Sequence, residues 1–580
     1  MRNTSFLFRQ CALSACLLLT ACGGLWGSSS PFMAASPTLL PAGPTLTPFQ
    51  PQGFTPPPSE TPLPLSSPDQ PAATPIVPPA SLWISPAVPQ ALRQFVLASG
   101  LPLASSPDST TLNLDISNQQ STTASPLGIE NQKSSLWIYA LVTPFPTLMD
   151  GVSLADLRSA WAGTPTGPFA GRYLWIDKST LAAFSDVWGA PASGAVLVAE
   201  AGQLVDAAWA DRPAWAIVPF EALEPRWKVL DVDGQSPIHN DFDPESYPLK
   251  ITFSIQSSAL DLPASNRDPK KLTVLAMTGV TALVRATADR MESHGVLYPG
   301  QEVRSVLRAA DITHVSNEIS FDPQCPTPDP WTESLRFCSS PRYIALLQDV
   351  GVDLVELTGN HLLDYGPQDM LDTLDTYDQL GWKYFGGGRD LQDSLKPALV
   401  ENHGNKLAFV GCNFAGPPND WATEDRPGSA PCDLDAMASE ISTLRSQGYL
   451  PVMTFQYNEY YQPNPTPEEE ANFRRMADAG AVIVSGSQAH MPASMEFHGN
   501  AFVHYGLGNL FFDQMSHLMP DGSLIYDTRN VFIDRHIIYD GRYIGTELLT
   551  YIIEDYSRPR LMTPSERSDF LQHIFSVAGW

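Results

Sequence analysis

The chain has 580 residues, a formal charge of −28 and 43% apolar residues. That length suggests two to four domains with sizeable cores. The acidic balance argues against nucleic acid as a partner, because phosphate binding needs clustered Lys and Arg, and against charge-driven docking on an anionic membrane.

Arg2 and Arg9 precede a short apolar run that ends in Leu19-Thr20-Ala21-Cys22. A positive start and a run too short to span a bilayer read as a secretory signal over 1–21. The tetrapeptide resembles the lipobox of bacterial lipoproteins, which implies lipidation of Cys22 and a lipid anchor on the extracytoplasmic face of the cell membrane. No later stretch has 18 consecutive apolar residues, so no other span is predicted. Of the 54 prolines, sixteen fall between Pro31 and Pro79. Residues 22–83, rich in Pro, Ser and Thr, read as a semi-extended linker.

Residues 84–265 alternate short apolar strands (135–142, 195–200, 214–219) with helical stretches such as 153–161, an α/β pattern. The run 141–163, with its Thr143-Pro144 turn and closing Trp161-Ala162-Gly163, and the later Val218-Pro219-Phe220 resemble phosphate-type periplasmic solute-binding proteins.

Residues 268–580 repeat the α/β rhythm more strongly. Strands are predicted at 272–277, 312–315, 354–357, 407–410, 450–455, 481–484 and 501–505. Helices are predicted at 301–310, 343–350, 368–380, 436–447 and 467–479. Such alternation implies a mostly parallel sheet covered by helices. Ligands of open α/β sheets bind beyond the C-terminal ends of strands. Polar clusters fall at those places: Thr278-Gly279, Ser316-Asn317-Glu318, Thr358-Gly359-Asn360-His361, Gln456-Tyr457-Asn458-Glu459, Ser485-Gly486-Ser487-Gln488-Ala489-His490 and Gly506-Leu507-Gly508-Asn509.

This ordered series resembles the CapA family of capsule and poly-γ-glutamate synthesis proteins, with their calcineurin-like metallophosphoesterase fold. The strongest match is Gly359-Asn360-His361-Leu362-Leu363-Asp364-Tyr365-Gly366, against the family's "N-N-H-s-x-D-y-G". Tyr505-Gly506-Leu507-Gly508-Asn509-Leu510-Phe511 matches "y-s-L-G-N-f". The resemblance implies a metallophosphoesterase-like α/β sandwich behind a smaller solute-binding-like domain. It implies a role in synthesis, export or attachment of a capsular anionic polymer such as poly-γ-glutamate.

The chain departs from the family where metal ligands are expected. Thr278-Gly279 stands for the family's Gly-Asp, Gln456-Tyr457-Asn458 for its "H-W-G", and Ser487 and Gln488 for two His of "G-H-H-P-H". What remains for a divalent metal (Mn, Zn, Fe or Mg) is Glu318, Asn360, His361 and His490, enough for one ion at best. His361, Asp364 and His490 are the candidate catalytic groups, with His–Asp as a general acid–base couple. Arg285, Asn317, Gln456, Asn458, Gln488 and Asn509 are candidate substrate-binding groups, Arg285 through its planar fork. The bland alternative for Glu318 is an ion pair with Arg285 or Arg342.

Four cysteines remain after Cys22, and an even number in an exported chain suggests disulfides. The neighbouring pairs Cys325–Cys338 and Cys412–Cys432 are the favoured pairing over a Cys-based zinc site, because no C-x-x-C spacing is present. Partners on this reading are the anionic cell-surface polymer and membrane polymer-synthesis proteins. Two other readings stay open: a metal-dependent hydrolase of unknown substrate, and a non-catalytic tethered solute- or polymer-binding protein.

Overall fold

The computed structural model describes residues 80–117, 132–257, 260–515, 517–518, 524–525 and 527–580. The segment read as a secretory signal, Cys22 and most of the residues read as a linker lie outside them. Val77–Trp580 forms one compact unit. Among the described residues no helix is long and apolar enough to cross a membrane.

The first half is built on strand Gln132–Pro144, buried without interruption from Tyr139 onward. Such a run belongs at a sheet centre. It pairs antiparallel with Lys250–Gln256 on one side and Trp215–Pro219 on the other. Parallel strands Leu174–Ile176 and Val196–Val198 extend the sheet beyond Trp215–Pro219. The helix expected at 153–161 runs Leu154–Trp161, its first turn capped by the Ser153 hydroxyl accepting from Asp156 N.

The second half holds two sheets where the sequence rhythm implied one. In the first, Lys383–Phe385, Leu354–Glu356, Ile312–Asn317 and Leu272–Thr278 lie parallel. The antiparallel strands Asn530–Tyr539, Arg542–Glu554 and Arg558–Leu561 follow. In the second, Asn405–Asn413, Leu450–Gln456, Ile483–Ser487 and Ala501–His504 lie parallel. The sheets face each other across one core that mixes Leu275, Met277 and Phe532 with Phe409, Val452 and Phe502. Helices Ile344–Val350 and Pro367–Leu380 cover the first sheet, and Leu434–Ser446 and Pro467–Asp478 the second. The result is an α/β sandwich of two facing sheets. The rhythm missed the second sheet because strands buried on both faces read alike, whichever sheet they join.

Helix Pro467–Asp478 opens with a capping box between Thr466 and Glu469. Glu469 is buried, and burial pushes its carboxyl up to about 7 despite the hydrogen bond from Thr466 N. A raised acid favours the fold below its ordinary pKa, and that contribution is lost as pH rises through the folded value. Glu469→Gln keeps an acceptor for the cap and removes the ionisation. It is expected to leave stability unchanged near pH 4.5 and to raise it by about 2–3 kcal/mol at pH 8, read from urea melts at both pH values. A gain independent of pH would contradict this assignment.

Candidate functional site

The pit lies where strands Ile312–Asn317, Leu354–Glu356 and Leu450–Gln456 end. Glu318 leaves its strand fully buried, its N–H donating to Thr281 O at 3.1 Å. Gly359 comes so close to Glu318 that a Cβ there would sit 2.6 Å from its Cα, so the Thr358-Gly359-Asn360 turn needs glycine. Gln456 joins them. Its Nε2 donates to Glu318 Oε1 at 3.0 Å and approaches Asn360 Oδ1 at 3.3 Å. Its Oε1 lies 3.0 Å from Ser487 Oγ, within hydrogen-bond distance. Ser487 Oγ also lies 3.1 Å from Glu356 Oε1, and Glu356 Oε2 lies 3.2 Å from His314 Nε2.

His361 stands over this network. Its Nδ1 pairs with Asp364 Oδ2 at 2.9 Å, and the same carboxylate oxygen accepts from Phe337 N at 2.6 Å. The Phe337 ring packs on the imidazole, centroids 4.4 Å apart. Burial alone would lower the His361 pKa, but the bond to Asp364 and the charge of Glu318 outweigh it and hold it above the ordinary value. Glu318 is pushed up to about 7 by burial, with the charges of Glu459 and Glu356 adding to the rise and His361 opposing it. Asp420 is also buried and pushed up to about 6, by burial first and then by Asp364, while His361 and the Leu363 N–H counter.

Two disulfide-closed loops supply the walls. Cys325 bonds Cys338 and Cys412 bonds Cys432, with Cα atoms 5.7 and 5.1 Å apart. The first loop delivers Phe337, one residue before Cys338, and the second delivers Asp420. The sequence reading missed both residues. Its only signal was the cysteine pairing, which requires each loop to fold back on the sheet.

A second cluster holds His490, whose Nδ1 pairs with Asn509 Oδ1 at 2.8 Å while Asn509 Nδ2 donates to His490 O at 3.0 Å. His490 and Gln488 both take left-handed backbone, φ 52° and 78°, a strained turn of the kind that concentrates at functional sites. Gln488 is buried and its Oε1 has no hydrogen-bond partner among the described residues. His490 packs on Phe512, Phe512 on Phe337 and Phe337 on His361. Rings therefore link the two histidines, which share no hydrogen bond.

Arg285 binds Asp513 through Nε and Nη2 and stacks on Phe337 and Phe512, at 4.8 and 5.0 Å. The alternative that Glu318 pairs with Arg285 or Arg342 does not hold, since Arg342 is bound to Glu292. Asn317 is fully buried and spends its Nδ2 on Ile319 O and Tyr377 OH, at 2.6 and 3.0 Å, inside the core. Asn458 stands at the rim, donating to Tyr460 OH at 3.2 Å.

The donor set fits a metal centre poorly. Among the described residues no group of three His, Cys, Asp or Glu side chains gathers as a metal site would require. Between Glu318 Oε1 and Asn360 Oδ1, two oxygens that would face an ion, lies the Gln456 N–H₂ group. The position of the family's aspartate is closed as well. A Cβ on Gly279 would lie 2.0 Å from Gly508 O, and that carbonyl is held by the N–H of Val280 at 3.0 Å.

Residues 274–514 match the family described as bacterial capsule synthesis protein PGA_cap. The chain is similar to the capsule biosynthesis protein CapA of Bacillus anthracis, 25% identical over 279 residues, 47% of this chain and 67% of that protein. It is also similar to the PGA biosynthesis protein CapA of Bacillus subtilis, 25% identical over 228 residues, 39% of this chain and 59% of that protein. Among solved structures it is similar to an ABC-type phosphate transport receptor from Vibrio cholerae, with 11% identity, 31% of this chain and 88% of that chain covered, and a TM-score of 0.24.

Proposed function

We infer that this protein acts in synthesis, export or attachment of a capsular anionic polymer such as poly-γ-glutamate, and that its pit engages the polymer without a two-metal centre. The observation that carries the reading is the Asp364–His361–Glu318 group, set at the strand ends of a capsule-synthesis domain. His361, whose pKa is raised by its bond to Asp364 and by the charge of Glu318 against the opposing effect of burial, is the group a polymer carboxylate meets. Glu318, titrating at about 7, is in part a neutral acid at neutral pH and can donate to a polymer amide or carboxylate. Any proton transfer in the pit runs through His361, positioned by Asp364. A divalent ion of the Mn, Zn, Fe or Mg type is implied by the family resemblance, but no step is assigned to it.

The test is complementation of a strain lacking this chain. Wild type is expected to restore surface polymer, while His361→Ala reduces it at least tenfold at equal protein level. Full surface polymer with His361→Ala would sink the reading.

The chain would work on the extracytoplasmic face, lipid-anchored through Cys22 and near membrane polymer-synthesis proteins. Cells fed a labelled fatty acid are expected to label the wild type, whereas Cys22→Ala leaves the protein unlabelled and released to the medium. Equal labelling of both would refute the anchor.

A further inference from the structure

A group of charged side chains outside the pit surrounds a cavity of about 430 Å³ where the two halves of the folded unit meet. That volume falls within the range of small-molecule sites. The strand that builds it explains why it is polar. Along Asn530–Tyr539, Asp534 and His536 turn into the sandwich, Asp534 holding His504 at 2.6 Å. Strand alternation therefore turns Arg535 to the outer face. There it sits beside Glu547, its cross-strand partner. The first half brings Lys228, His239 and Asp150 to this face, and helix Pro564–Val577 brings Arg567.

Most of these charges are spent on one another. Lys228 Nζ bonds Asp150 at 2.8 Å and Thr147 O at 2.7 Å. Arg567 grips Asp150 with two bonds of 2.9 and 2.7 Å and spends Nη1 on Leu548 O and Thr550 Oγ1. His239 Nε2 takes Glu547 Oε1 at 2.8 Å. Arg535 is the exception. Its Nη2 lies 3.3 Å from Glu547 Oε2, and its guanidinium makes no hydrogen bond among the described residues. Glu547 Oε2 is buried and likewise lacks a hydrogen-bond partner there. Apart from this one ion pair with Glu547, the Arg535 fork faces a cavity that Leu548, Met562, Leu571 and Phe575 also line.

The geometry points to a binding site for a small monocarboxylate with an apolar body, its head on Arg535 and its body against Leu548, Met562, Leu571 and Phe575. A planar guanidinium with free donors matches a carboxylate in bidentate fashion. A dianionic head is disfavoured, since Asp150, Asp231 and Glu547 line the same cavity. Residues from both halves form the site, so an occupant also joins them.

Hexanoate and 1-hexanol, alike in apolar body, separate head from body. Titrated calorimetrically into the full chain at pH 7, hexanoate is expected to bind one to one and hexanol at least tenfold more weakly. Arg535→Met is expected to weaken hexanoate at least tenfold and leave hexanol within twofold. Arg535→Lys keeps the positive charge beside Glu547, and so the fold, but loses the fork; a loss of threefold or more is expected. Absence of hexanoate binding, or wild-type affinity in Arg535→Lys and Arg535→Met, would overturn the proposal.

Discussion

Gly279→Asp, which restores the family's first-strand aspartate, is expected to unfold this protein rather than to build a metal site. The new Cβ would lie 2.0 Å from Gly508 O, far inside any van der Waals contact. The carbonyl cannot retreat freely, because it accepts the Val280 N–H at 3.0 Å, and Gly508 itself holds φ 78° with Pro492 packed close by. Overpacking against fixed backbone costs more than about 3 kcal/mol. Gly279→Ala carries the same Cβ without the carboxylate and is expected to lose nearly as much, which separates the steric cause from the charge. Thermal melts of both variants check this, and a stable Gly279→Asp protein that retains a divalent ion would refute the steric account.

The second large effect concerns the loop that carries Asp420. Opening Cys412–Cys432 in the pair Cys412→Ala, Cys432→Ala releases a 20-residue separation, worth about 3 kcal/mol of stability. The loop also holds its place through Asn413, whose Oδ1 accepts from Gly416 N at 2.6 Å and whose Nδ2 reaches Gly359 O at 3.4 Å. Freed, it takes Asp420 away from Leu363 and from the field around His361. The double variant is expected to melt several degrees lower and to bind γ-glutamyl oligomers about tenfold more weakly. Asp420→Asn, with the disulfide intact, is expected to change oligomer binding with little change in melting. Unchanged binding in both variants would remove Asp420 from the site.

The sequence was most legible where one run of residues carries both structure and chemistry. Gly359 to Gly366 named His361 and Asp364, and the structure joins those two side chains by a hydrogen bond. The strand-end rule placed Glu318, Asn360 and Gln456 at one rim, and they meet there. It said nothing of which way a side chain turns: Asn317 and Glu318 are neighbours, yet Asn317 goes to Tyr377 and Glu318 to the pit. Long-range partners were also illegible. Asp513 takes Arg285 from 228 residues away, a pairing set by how the chain around Phe512 packs beside Val284 rather than by any local pattern. Asp420 hid for the same reason, inside a loop whose path is fixed only by its disulfide.

The central claim is that the Gln456 amide stands where an ion would bridge Glu318 and Asn360, so that His361 and its acids engage the polymer unaided. The most direct measurement is metal analysis of the purified full chain after exposure to Mn²⁺ and Zn²⁺ and gel filtration, paired with γ-glutamyl oligomer binding before and after EDTA. The account predicts no stoichiometric ion, oligomer binding that EDTA does not change, and at least tenfold weaker binding in His361→Ala. One tightly held ion per chain, lost in His361→Ala and needed for oligomer binding, would contradict it.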